Sequence, residues 1–292
     1  MKYSHELKEI KIDLNDAILR HSADRTIAYK EVNGEPVYLG YYFPNDYQKG
    51  RKYPVFFFVH GGGWSNHKIF EDQPHWQGDH LGFLARYYAE KGFVCVSIDY
   101  RLIREHGQAM GYEIIDCYED CCDAVDYVME HAIEYGADIQ NMYLLGESAG
   151  GHLAGALLTF DYDRQYQFKK AILVNPITHL EDKWQNWVAT NSRHLKLSEL
   201  SFRELIQFLS PLYHVDSQTS ETILIHGESD MVVAPEHSER FYEKMTAVTK
   251  SCELHLIEKT NHAFLLAEYK GQDLTACKIA IDIIDRNVLE KE

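Results

Sequence analysis

The chain has 292 residues, 45% hydrophobic and 25% charged, a composition that can bury a sizeable core and excludes an intrinsically disordered protein. Its net charge of −16 repels phosphate backbones and anionic membrane surfaces, and with no Lys/Arg run to offset it, nucleic acid and membranes are not expected partners. The opening stretch MKYSHELKEIKIDLNDAILR lacks the apolar segment of a signal peptide, and no segment approaches a membrane-spanning apolar run, so a cytoplasmic protein is expected.

In chain order, RTIAYKEV and PVYLGYYF flank NGE, which predicts an antiparallel hairpin near the N-terminus. Short, nearly continuous apolar runs follow at 54–60, 93–99, 142–146, 171–176, 222–227 and 252–257, as strands buried on both faces require. Helical patterns lie between them at 82–91, 113–135, 150–160, 236–249 and 272–289. In the second of these, Ile114, Tyr118, Cys121, Val125, Val128 and Ala132 form an apolar stripe. Its other side carries Asp116, Glu119, Asp120, Asp123, Asp126 and Glu130, which we read as a solvated face rather than a metal site. Alternating strands and helices predict one α/β domain over 1–292, a mostly parallel sheet with antiparallel N-terminal strands and helices on both faces. Residues 181–214 exceed a simple crossover and read as a cap or lid insertion. Their Trp184 and Trp187 form either part of an acyl pocket or the plain packing of an inserted helix.

The six cysteines, at 95, 117, 121, 122, 252 and 277, form no C-x-x-C pair and lie mostly in apolar patterns, as buried thiols in a reducing compartment would. His67, His75 and His80 match no zinc spacing, and neither a metal nor another cofactor is expected.

GESAGG at 146–151 follows an apolar strand and opens a helix. In that context Gly146 and Gly150 permit a cramped turn that lifts the Ser148 hydroxyl clear, with an ordinary helix cap as the lesser alternative on this stretch alone. Upstream, VHGGGW ends another strand, and its glycines let backbone amides face an oxyanion. A serine hydroxyl needs a base, and the base an orienting carboxylate. Asp230 follows the strand TILIHG, and His262 follows CELHLIEKT. All four features thus fall at the carboxyl ends of strands, where open α/β sheets gather their sites.

Taken with their order, the motifs HGGGW, DYRL at 99–102, GESAGG, HGESDMVV and NHAF resemble those of the α/β-hydrolase family. More narrowly, the chain resembles the hormone-sensitive-lipase-like and acetyl (feruloyl) xylan-esterase-like carboxylesterases, from about residue 26 onward. The resemblance implies Ser148 as nucleophile, His262 as general base and then acid, and Asp230 as its orienting carboxylate. It implies oxyanion donors at the amides of Gly62, Gly63 and Ala149, with Gly61 shaping the turn and His60 holding the glycine loop. Trp64 and Glu147 are expected to shape the substrate pocket. Asp99 of DYRL is expected to be structural, and Glu228 is the nearer rival to Asp230. The implied activity is serine carboxylesterase action on short-chain or aryl acyl esters, including acetyl or feruloyl groups on carbohydrates. HGG-x-W is also similar to the arylformamidase motif, and a non-catalytic hydrolase-fold binding protein is the alternative from another class. A peptidase like prolyl oligopeptidase would need an added domain for which the chain has no room.

Overall fold

The computed structural model describes residues 2–8, 10–14, 22–65, 81–105, 108–160, 166–181, 183–191, 200–248, 251–262, 264–265 and 274–289. The hairpin forms as expected from strands β2 (Arg25–Val32) and β3 (Glu35–Tyr42). Its turn residues Asn33 and Gly34 have φ of 55° and 85°, the left-handed pair that an Asn-Gly hairpin supplies. Further strands are β4 (Tyr53–Val59), β5 (Val94–Ile98), the two-residue β6 (Arg104–Glu105) and β7 (Gln108–Ala109), β8 (Ala137–Glu147), β9 (Lys170–Val174), β10 (Thr222–Gly227) and β11 (Cys252–Ile257). Three strands were not foreseen: the short pair β6 and β7, and β1 (Lys2–His5), which pairs in parallel with β11. The main sheet has the order β1-β11-β10-β9-β8-β4-β5-β3-β2. From β1 to β5 its pairs are parallel, and the hairpin continues it antiparallel.

The central strands bury both faces because their residues alternate between two apolar layers, whereas the edge strands β1 and β2 are partly exposed. Val55, Phe57 and Val59 face α2 (Ile114–Glu130) and α4 (Ala149–Thr159), with Phe241 and Met245 of α7 (Glu236–Val248) in the same core. Phe56 and Phe58 share the opposite core with α1 (Gly82–Glu90) and α8 (Thr275–Val288). A short helix, α3 (Ala132–Tyr135), follows α2. The 181–214 segment contributes α5 (Lys183–Asn191), α6 (Phe202–Phe208) and a 3-10 turn at Pro211–His214.

The acidic side of α2 is solvated only in part, with Glu130 exposed and Asp116 and Asp120 buried. Asp120 is fully buried and accepts from Arg101 Nε at 2.7 Å and Nη2 at 2.8 Å, while Lys30 bridges Asp120 and Asp123. Asp116 is also buried, 3.3 Å from Arg101 Nη1, and Asp126 accepts from Tyr166 at 2.9 Å. Amphipathic periodicity alone missed this because the covering cations come from β2 and from the loop after β5. The six cysteines are buried thiols, as expected.

The strand order places β8 between β4 and β9, with β10 and β11 beyond β9. The chain runs from β4 to β5 on one side and returns to β8 on the other, so the sheet reverses its winding beside β4. Loops leaving β4, β8, β10 and β11 therefore meet over the carboxyl edge at that switch point.

Candidate active site

Ser148 occupies the turn between β8 and α4 with φ 55° and ψ −118°, a conformation that side-chain-bearing residues rarely adopt. The turn is tight enough to demand its glycines: a Cβ on Gly146 would lie 2.3 Å from the Gly150 carbonyl oxygen, and one on Gly150 2.1 Å from that of Val59. Although Ser148 stands at the N-cap position of α4, its side chain makes no capping hydrogen bond. Its hydroxyl instead lies 2.9 Å from His262 Nε2. On the ring's other side, Nδ1 is 2.6 Å from Asp230 Oδ2. An ionised carboxylate only accepts, so Nδ1 carries the proton and Nε2 is left to accept from the serine hydroxyl. A neutral imidazole held this way can remove a serine proton and is oriented by the carboxylate behind it.

Asp230 is buried, and burial pushes its carboxyl upward. Hydrogen bonds from His226 and His262 and from the Val233 amide outweigh that and hold it well below the usual carboxylate range. Its Oδ1 accepts from the amides of Val232 at 2.8 Å and Val233 at 2.9 Å. His226 Nε2 stands 3.3 Å from Oδ2 and donates to the Val233 carbonyl at 3.0 Å, while its Nδ1 accepts from Ser238 at 2.7 Å. The rival Glu228 is exposed, and Asp99 lies beside His60, Oδ1 to Nε2 being 3.6 Å.

Gly62, Gly63 and Trp64 have consecutive φ values of 98°, 63° and 53°, and the turn closes through the Ser65 amide on the Gly62 carbonyl at 3.1 Å. His60 Nδ1 donates to the Gly61 carbonyl at 2.8 Å, consistent with the loop-holding role expected of it. Tyr100, of the DYRL motif, stacks on the His60 ring at 4.3 Å and donates to the carbonyls of His60 (2.9 Å) and Gly61 (3.2 Å). Ala149 is the first residue of α4, where amides have no intrahelical acceptor.

Glu147 is buried, its Oε1 3.8 Å from His262 Nε2, and its Oε2 fills the space a Cβ on Gly61 would need. Trp64 is fully enclosed, with ring centroids 5.2 Å from His152, 5.8 Å from Trp184 and 4.9 Å from Trp187. The α5 tryptophans therefore pack onto the residue that follows the glycine loop. His67, His75 and His80 lie outside the described residues. Among the described residues no group of three His, Cys, Asp or Glu is placed to hold a metal ion, and no helix is long and apolar enough to cross a membrane.

Sequence reading passed over Asn175, Asn261 and His226. Asn175 left a signal in its position, a polar residue between an apolar strand and Pro176, and so did His226, the polar residue inside TILIHG.

A mostly parallel sheet crossed by these helices, with a serine on a tight strand-to-helix turn over its carboxyl edge, defines an α/β-hydrolase fold. The chain belongs to the BD-FAE family, whose model matches residues 39–245. It is 26% identical to a probable carboxylic ester hydrolase, LipM, of Mycobacterium tuberculosis, over 72% of this chain and 49% of that protein. It is 24% identical to a kynurenine formamidase of Danio rerio, over 89% of this chain and 82% of that one. The chain spans about half the length of LipM and of a probable isoprenylcysteine alpha-carbonyl methylesterase of Oryza sativa. Among solved structures, esterase 2 of Thermogutta terrifontis in its apo form superposes with a TM-score of 0.73 at 25% identity, covering 91% of this chain and 93% of that one.

Proposed function

We propose that this protein is a serine carboxylesterase acting on small-molecule esters by two-step acyl transfer. The observation that carries this reading is the relay from the Ser148 hydroxyl through His262 to buried Asp230, at 2.9 and 2.6 Å. His262 takes the proton of Ser148 as its oxygen attacks the ester carbonyl, and the negative charge develops toward the amides of Gly62, Gly63 and Ala149. The imidazolium returns its proton to the leaving alcohol. Water, deprotonated by the same ring, then attacks the acyl-enzyme and releases the acid, with no cofactor taking part.

The α5 and α6 segment acts as a cap, and Trp64, Trp184 and Trp187 build an aromatic wall beside the glycine loop. Acetyl or feruloyl groups on carbohydrates are the substrates this reading favours. A second reading, arylformamidase, is favoured by one observation: the kynurenine formamidase relative aligns along 82% of its own length. An N-formyl bond would be opened by the same relay. The net charge of −16 supports a non-nucleic-acid substrate, and the buried thiols support a cytoplasmic setting.

The test is a panel of p-nitrophenyl acyl esters, acetylated and feruloylated xylo-oligosaccharides and N-formylkynurenine, run on wild type and on Ser148→Ala. Ester turnover that disappears in the variant is the expected result. Turnover of every substrate unchanged in Ser148→Ala would end the assignment, and a kcat/KM highest on N-formylkynurenine would favour the second reading.

A further inference from the structure

Strand β9 lies between β8, which leads to Ser148, and β10, which leads to Asp230. Its end carries Asn175, fully buried, with φ 43°, a left-handed conformation that asparagine tolerates better than most residues. The Asn175 Nδ2 group donates to the backbone carbonyl of His262 at 2.7 Å. Its Oδ1 accepts from the backbone amide of Gly227 at 3.0 Å, three residues before Asp230. The preceding residue, Val174, accepts from the backbone amide of Ser148 at 2.9 Å. One dipeptide thus touches the main chain at Ser148, at His262 and at the root of the Asp230 loop.

We propose that Asn175 is a positioning residue for the acyl-transfer relay, its side-chain amide bridging the His262 carbonyl to the Gly227 amide and so setting base against acid and nucleophile. The other peptide group of His262 is held by a second asparagine through its side-chain carbonyl oxygen alone. Asn261 Oδ1 accepts from the His262 amide at 2.8 Å and from the Met231 amide at 3.1 Å, next to Asp230. Two side-chain amides therefore tie the base loop to the acid strand and loop, one at the His262 carbonyl and one at its amide. The bridge at 175 needs a donor and an acceptor in one planar group, which an amide has and a carboxylate lacks. A relay held to 2.6 and 2.9 Å tolerates little error, and a 1 Å displacement costs about 100-fold in rate.

This inference rests on the serine-hydrolase reading, and its test separates the two. Asn175→Asp keeps the shape and the acceptor for Gly227 but sets a carboxylate oxygen against the His262 carbonyl. Asn175→Gly keeps the positive φ and removes the bridge. For both, kcat on p-nitrophenyl acetate is expected to fall by roughly 100-fold with KM within threefold. The downfield proton resonance of His262 Nδ1–H should broaden or move upfield. Val128→Ala, a core truncation in α2, controls for lost stability and is expected to keep both kcat and the resonance. A kcat within twofold of wild type with an unmoved resonance in either Asn175 variant would overturn the proposal. An equal kcat loss in Val128→Ala would do the same. Full turnover in Ser148→Ala would remove the acyl-transfer reading itself. An inactive Ser148→Ala beside unimpaired Asn175 variants would remove the bridge alone.

Discussion

Backbone strain at Ser148 costs of order 1–3 kcal/mol, and two glycines and a strand end packed to contact keep it in place. That strain directs the hydroxyl away from the helix it would otherwise cap and toward His262. The carboxylate behind the base has its own supports, two backbone amides and two histidines, which keep it ionised despite burial. Asp230→Asn would present the wrong partner to Nδ1, and kcat is expected to fall by about four orders of magnitude. Glu228→Gln should leave kcat within a few-fold, since Glu228 points to solvent; steady-state rates on one activated ester distinguish the two variants. Ser148, Asp230 and His262 were legible because each follows an apolar run and because their order fits one chemistry. Asn175 and Tyr100 were not, because their partners lie far along the chain, which no local spacing encodes; His226 meets Asp230, Val233 and Ser238 nearby, but only through the way the loop after β10 folds back.

The central strands and the long helices were readable because both faces of the central sheet are buried, but β8 starts at Ala137, five residues before its apolar run, and α5 and α6 were read only as an insertion. What local periodicity could not supply was the neighbour. Strand β1 pairs with a strand some 250 residues later, and His5 Nε2 meets His255 Nδ1 across that pairing at 2.7 Å. The acidic side of α2 looked solvated because Lys30 and Arg101 arrive from elsewhere. Removing one buried partner strands the others without compensation. Asp120→Asn is therefore expected to cost about 3 kcal/mol, read as a lower urea midpoint at unchanged slope. A solvated aspartate would cost nearly nothing, and a midpoint equal to wild type would restore the solvated-face reading.

At the scale of the molecule, the sheet order is what makes the site, because it alone brings loops from β4, β8, β9, β10 and β11 together. The same deep burial makes the fold acid-sensitive. Burial pushes His152 down to about 4. Burial, and then the charges of His179, His226, Arg240 and Lys183, push His237 to about 2. Both stay neutral when folded, whereas the unfolded chain takes up protons from its ordinary value of 6.5 downward. The stabilisation is thus complete above that value and declines as the pH falls, by about 2 kcal/mol for each histidine at pH 5. Asp230 acts in the same direction at lower pH: its depressed carboxyl contributes fully above 3.8, and that contribution is lost in stronger acid. Urea midpoints are therefore expected to fall between pH 7 and 5, and a flat profile there would contradict the burial of both rings.

Everything functional depends on one claim, that Ser148 is an activated nucleophile rather than a helix cap. Intact-mass analysis and peptide mapping after treatment with a fluorophosphonate probe address it directly. The expected result is one adduct per chain, on Ser148, formed far more slowly in His262→Ala. A protein that hydrolyses esters yet remains unlabelled at Ser148, or labels equally fast without His262, would contradict it.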